Sequence, residues 1–246
     1  MDRVLYLAMT GAKQTAWQQA TTANNLANVN TNAFKADLVS FRALPVVGPG
    51  AATRTYVVDN TIGHDMSQGS LMHTGSPSDF ALGTPGFFTV QADDGNEAYS
   101  RDGGYIIDSN GMMRTRSGHP LMGDSGPITV QPGMNIQLGQ DGTVLGTQQN
   151  VANAKPQILG QIKLVKPGDR DVYKGSDGLF RTNSGDPAQA DPSVQLVPET
   201  MESSNVNAVE SMVQMIAQSR QYDMNIKMMQ TASANEQKAT ELLTIS

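Results

Sequence analysis

Apolar residues follow two different rhythms along this chain. Toward the N-terminal end, Leu5, Met9, Ala12, Ala16, Ala20, Ala23 and Ala27 recur at spacings of three and four, the period of one helical face. Toward the C-terminal end, Val206, Val209, Val213 and Ile216 form a second such stripe. Met215, Tyr222, Ile226 and Met229 continue it on a drifting face, and Leu242 and Leu243 close it. Between the two, the pattern shortens to runs such as Phe87-Phe88-Thr89-Val90 and Tyr105-Ile106-Ile107. Asp93-Asp94-Gly95-Asn96, Asn110-Gly111, Asp141-Gly142 and Asp177-Gly178 punctuate them. Asn-Gly and Asp-Gly suit tight hairpins because both residues tolerate positive φ.

The helix breakers draw the same boundaries. Of 24 glycines only Gly11 precedes Gly48 and none follows Gly185, and all 12 prolines fall between Pro45 and Pro198. Gly and Pro in a helix interior cost about 1 and 3 kcal/mol relative to Ala. The ends can therefore be long helices, and the middle cannot. The predicted fold class is α+β: a mainly antiparallel β central domain flanked by N- and C-terminal long α-helices that pair as a coiled coil. The segments are a helix over 1–34, an extended arm or linker over 35–68, a β-rich domain over 69–190 and a second helix over 191–246. Whether the middle is one domain or a domain plus an arm stays open. The first helix should stop in the cluster Asn24, Asn25, Asn28, Asn30 and Asn32, since Asn favours caps and turns. Asn207 followed by Glu210 reads as a capping box for the second.

The polar faces of these helices are unusual. Residues 1–30 carry only Asp2, Arg3 and Lys13 as charges, the rest of the polar surface being Gln, Thr and Asn. Water-facing helices normally show charge opposite their apolar stripe, whereas uncharged positions can be desolvated if they find hydrogen-bond partners. An alanine stripe also buries little area, at roughly 25 cal/mol per Å². The terminal helices are thus expected to become ordered only among neighbouring copies.

Composition then narrows the function class. The chain has 17 basic and 23 acidic residues, a formal charge of -6, and no run of Lys and Arg. Neither a nucleic acid nor direct lipid binding fits that balance. Having no cysteine, it can form no disulfide, thiolate zinc site or cysteine nucleophile. The opening Met1-Asp2-Arg3-Val4-Leu5-Tyr6-Leu7 is too short for the core of a signal peptide, so any departure from the cytoplasm is expected without a cleaved leader. Gly123-Asp124-Ser125-Gly126-Pro127 has the look of a serine nucleophile segment, but His64, His73 and His119 sit in no context that supplies its base, so a hairpin turn is expected. The same histidines are too scattered for a metal, and Asp93 to Glu97 lacks the spacing of a calcium loop. No cofactor is expected.

Ala23-Asn24-Asn25-Leu26-Ala27-Asn28-Val29-Asn30-Thr31 with Phe34-Lys35 resembles the N-terminal signature of the flagellar rod and hook axial proteins. Met201-Glu202-Ser203-Ser204-Asn205-Val206-Asn207-Ala208-Val209-Glu210, followed by Met215-Ile216 and Arg220-Gln221-Tyr222, resembles their C-terminal one. Ser78-Asp79-Phe80-Ala81-Leu82, Gly86-Phe87-Phe88-Thr89-Val90, Tyr99-Ser100-Arg101-Asp102-Gly103 and Gly126-Pro127-Ile128 resemble the segment shared by the hook and longer rod proteins. Met1-Asp2-Arg3, Leu44-Pro45-Val46, Thr53-Arg54-Thr55 and Ile226 to Ala232 look most like the proximal-rod branch, with the distal rod as the alternative. Asn32-Ala33 departs from the pattern, standing where many relatives have Pro-Gly or Asn-Gly.

The resemblance implies a non-enzymatic subunit that stacks head-to-tail into a hollow, torque-transmitting rod in the basal body. It implies export through the flagellar type III apparatus, terminal helices packed as an inner layer and a β-domain outside. The implied partners are copies of itself and the other proximal and distal rod subunits. The residues expected at these contacts are Leu5, Met9, Ala12, Ala16, Ala23, Asn24, Asn25, Leu26, Ala27, Asn28 and Phe34, with Ser204, Asn205, Val206, Asn207, Val209, Val213, Ile216, Arg220, Tyr222 and Ile226. Two rivals remain: a secreted hydrolase using Ser125, and a monomeric β-rich binding module with helical extensions.

Overall fold

The computed structural model describes residues 3–45, 55–149, 155–168 and 171–244. The sequence pieces at 1–2 and 46–54, and the side chains of Leu242 and Leu243, lie outside the described residues. The chain is α+β and divides into two compact units. One contains 1–29, 36–65 and 206–246; the other contains 30–35 and 66–205.

The first unit holds both long helices, α1 (Arg3–Ala27) and α2 (Ala208–Thr244), and a long antiparallel hairpin of Asp37–Pro45 with Thr55–His64. Helix α1 ends in the asparagine cluster. The Asn28 amide nitrogen donates to the Asn24 and Asn25 carbonyls, and its side chain donates to the Asn24 carbonyl at 2.9 Å. Helix α2 starts at its cap: Asn207 Oδ1 accepts from the Val209 and Glu210 amides at 3.1 and 3.3 Å. The Glu210 carboxylate accepts from Gln214 at 3.2 Å, a contact between neighbours four apart in place of the reciprocal bond of a capping box.

In the second unit the described ladders are all antiparallel. A five-stranded sheet runs in the order Leu164–Val165, Phe87–Gln91, Glu97–Ser100, Phe180–Thr182, Val172–Lys174. A three-stranded sheet joins Met134–Leu138, Thr143–Gln148 and Gln157–Gln161. Shorter ladders pair Phe80–Leu82 with Leu196–Pro198, and Leu71–His73 with Thr200–Glu202. The core is built around Phe80, Leu82, Phe88, Val90, Met113, Leu121, Val144, Ile162 and Leu196, all fully buried or nearly so. Phe80 and Phe88 meet edge to face at 5.1 Å, the geometry their ring quadrupoles favour.

All four predicted turns connect hairpins, and each is stitched by an aspartate. Asp94, Asp108, Asp141 and Asp177 accept through Oδ1 from the backbone amide two residues on, at 2.9 to 3.1 Å. That local bond mimics a backbone turn and leaves the glycine to take positive φ.

Candidate assembly interface

Helices α1 and α2 pack antiparallel, Asn225 lying against Gly11 and Thr15 while Gln218 reaches Thr22. The seam runs through Leu5, Ala8, Ala12, Thr15, Gln19, Thr22 and Leu26 on α1, buried or half-buried at alternating spacings of three and four. On α2 it runs through Ser211, Met215, Gln218, Asn225, Met229 and Ala232 with the same heptad spacing. Its contacts are small or polar. Asn225 Nδ2 donates to Thr15 Oγ1 at 3.4 Å, and Gln218 Nε2 to Thr22 Oγ1 at 3.0 Å. A Cβ on Gly11 would sit 3.3 Å from Asn225 Oδ1, so the glycine admits the amide. Both amides thus donate across the seam, whereas Gln218 Oε1 is buried with no partner among the described residues.

The apolar stripe of α2, by contrast, stays on the surface of its unit. Val209 is 71 %, Val213 61 % and Ile216 56 % exposed, and Met212 beside them is exposed too. Four large apolar side chains at i, i+3, i+4 and i+7 make a contiguous patch of the kind that marks interaction sites. Of the other contact candidates on the helices, Met9, Ala16, Ala23, Asn24, Ala27, Arg220 and Tyr222 are exposed. Leu5, Asn25, Leu26, Asn28, Val206 and Ile226 are half-buried, and Ala12 is buried in the seam. Asn25 has a local task. Its Nδ2 donates to the Asp37 carbonyl at 2.9 Å and its Oδ1 accepts from the Asp37 amide at 2.8 Å, tying the hairpin to α1. His64 Nδ1 lies 2.9 Å from the Asp37 carboxylate at the other strand of that hairpin.

Phe34, Ser204 and Asn205 belong instead to the neck of the β-rich unit, where its chain enters and leaves. The Asn205 amide donates to the Phe34 carbonyl at 3.2 Å, and the Ala33 amide to the Glu202 carbonyl at 2.8 Å. Lys174 Nζ stands 4.0 Å over the Phe34 ring. Beneath this bridge lies an ionic triad that the sequence did not announce. Lys35 Nζ reaches Glu202 Oε1 at 2.7 Å, while Arg101 Nε and its NH2 reach Oε2 at 3.0 Å. The side chains are 0, 0 and 3 % exposed for Lys35, Glu202 and Arg101. Each stands in a signature segment, but their pairing across 101 and 167 positions leaves no local trace. Ala33 takes φ of +52°, so an alanine occupies the left-handed position that a glycine fills without strain.

Nearby, Asp79 accepts from Arg116 and, at 2.7 Å, from Thr74 Oγ1. Burial pushes the Tyr105 hydroxyl up to about 12, and the Asp79 charge adds to it. Burial likewise raises the Asp102 carboxyl, with Arg116 pulling the other way, and its Oδ1 has no partner among the described residues. Ser125 is exposed in the turn of the hairpin Met122–Gly123 with Gly126–Pro127. Among the described residues no cluster of His, Cys, Asp or Glu could hold a metal, and no helix is long and apolar enough to cross a membrane.

Three family models match in chain order: a flagella basal body rod protein model over 5–35, a flagellar hook protein FlgE/F/G D1 domain over 81–146 and a flagellar basal body rod FlgEFG protein C-terminal model over 197–242. The chain is similar over its full length, and that of the relative, to the flagellar basal-body rod protein FlgF of Salmonella typhimurium at 41% identity. The chain belongs to the flagellar basal-body rod protein family. The Escherichia coli FlgF is 40% identical, again over the whole of both chains. A FlgG of Buchnera aphidicola is 32% identical over 97% of this chain and 98% of its own. The rod-family segments map onto α1 with the incoming neck, onto the core strands, and onto the last strands with α2. As a member of a family of structural rod proteins, the chain is not an enzyme.

Proposed function

We propose that this chain is a structural subunit of the flagellar basal-body rod, placed in its proximal part. The full-length likeness to two FlgF proteins supports the class, and its lead over the FlgG likeness favours the proximal position. The observation that carries the mechanism is the exposed stripe Val209, Met212, Val213 and Ile216 on a helix already paired through its other face. A helix with two working faces can pair with α1 and still present a surface to a neighbour. Contacts between unlike surfaces propagate helically, whereas a two-fold contact closes on itself, so head-to-tail stacking is what a rod requires.

In this reading the terminal helices form an inner coiled-coil layer of a hollow shaft that transmits torque, and the β-rich unit lies outside. The partners are copies of the chain and other rod subunits, delivered by the flagellar export apparatus without a cleaved leader. The heptad spacing on both sides of the seam supports coiled-coil packing. The test is Val209→Asp. That side chain makes no core contact within its own unit, so the purified variant should melt as wild type does. Incorporation into basal bodies, followed by immunoblot of isolated rods and by swimming, should be lost. Normal motility with normal incorporation would overturn the proposal.

A further inference from the structure

Glu202 is the meeting point of stretches far apart in sequence. Its Oε1 accepts from Lys35 Nζ at 2.7 Å and from the Gly69 amide at 3.0 Å, and its Oε2 accepts from Arg101 Nε at 3.0 Å. Each cation also donates to a carbonyl, Lys35 Nζ to Ser67 at 2.6 Å and Arg101 NH1 to Gly86 at 2.7 Å, while Arg101 NH2 lies 3.0 Å from Glu202 Oε2 without a well-directed hydrogen bond. Both cations therefore reach the same carboxylate, their side chains 0 and 3 % exposed. The same residue also bridges the neck through its backbone, its carbonyl accepting from the Ala33 amide at 2.8 Å.

Removing one member of a buried ionic group is far costlier than never having formed it, because the others are left charged and desolvated. Here the carboxylate is the last of the three to appear in the chain. We infer that Glu202 is a closure latch: the β-rich unit cannot close around Lys35 and Arg101 until residue 202 arrives. The strands Leu196–Pro198 and Thr200–Glu202, which zip onto Phe80–Leu82 and Leu71–His73, arrive together with it. A chain made or delivered from its N-terminus consequently keeps this unit open until the strand just before α2 has arrived. The inference does not rest on the rod assignment, since every contact lies inside one unit.

The test is amide hydrogen exchange of the full-length protein in three forms: wild type, Glu202→Gln, and the triple variant Lys35→Met/Arg101→Met/Glu202→Leu. Glu202→Gln keeps the shape and removes the negative charge that both cations reach. It should speed exchange throughout the strands Phe87–Gln91 and Glu97–Ser100, not only at the neck, by roughly a hundredfold. The triple variant removes the charges with the carboxylate and should recover protection to within about tenfold of wild type. Acceleration confined to residues 33–35, 67–70 and 200–205 would reduce Glu202 to a local brace and overturn the latch. So would a triple variant as unprotected as Glu202→Gln.

Discussion

At the residue scale, the aspartates of the β-rich unit divide by environment. Side-chain and backbone hydrogen bonds from Thr143 hold the Asp141 carboxyl below its usual range, and Arg181 does the same for Asp177, each against a smaller opposing effect of burial. Such groups contribute stability above the ordinary carboxylate range and lose it as pH falls. Asp102 has the opposite sign. Burial raises its carboxyl, so its contribution is greatest when protonated and is lost as pH rises through the raised value. Asp102→Asn should therefore stabilise the protein at neutral pH, with the advantage vanishing as pH drops into the ordinary carboxylate range. Urea unfolding of both proteins at several pH values checks this, and a constant difference would contradict it. The turn aspartates were legible because a turn is local in sequence. The partners of Lys35, Arg101 and Asp102 were not, because burial and pairing are set by strands distant in the chain.

At the element scale, both helices and the asparagine cap of each were legible from breaker content and cap chemistry. Which face does what was harder. Apolar spacing marked Val209, Val213 and Ile216, and the fold leaves that stripe exposed on its unit. The seam is made instead by small and polar residues, Ala8, Ala12, Thr15 and Thr22 against Ser211, Gln218 and Asn225, with an amide-to-hydroxyl bond from each of Gln218 and Asn225. A periodicity scan weighted by apolarity passes over such a seam, although its heptad spacing is present in the sequence. At Gly11 the seam is close: an added Cβ would sit 3.3 Å from Asn225 Oδ1. Gly11→Leu should push Asn225 away and cost about 1–3 kcal/mol, the usual penalty for overpacking. In Gly11→Ala the contact strain is offset by a helix-propensity gain of about 1 kcal/mol, leaving little net change. Thermal melts followed by helical circular dichroism separate the two; a Leu variant as stable as wild type would mean that the seam is not packed at Gly11.

At the scale of the whole molecule, the family resemblance read from both termini and the middle agrees with the full-length likeness to FlgF proteins. The chain consists of a helical unit whose apolar stripe is left unburied and a β-rich unit that closes its own core and carries its own ionic neck. The first is suited to joining neighbours, the second to folding alone once its last strands are in place. What the first unit lacks is cover for Val209, Met212, Val213 and Ile216. Direct imaging of an isolated basal body at side-chain resolution tests this most squarely. The account predicts that those four side chains are packed against adjacent subunits around the rod axis. Finding them bathed in solvent, with α2 touching only its own chain, would contradict it.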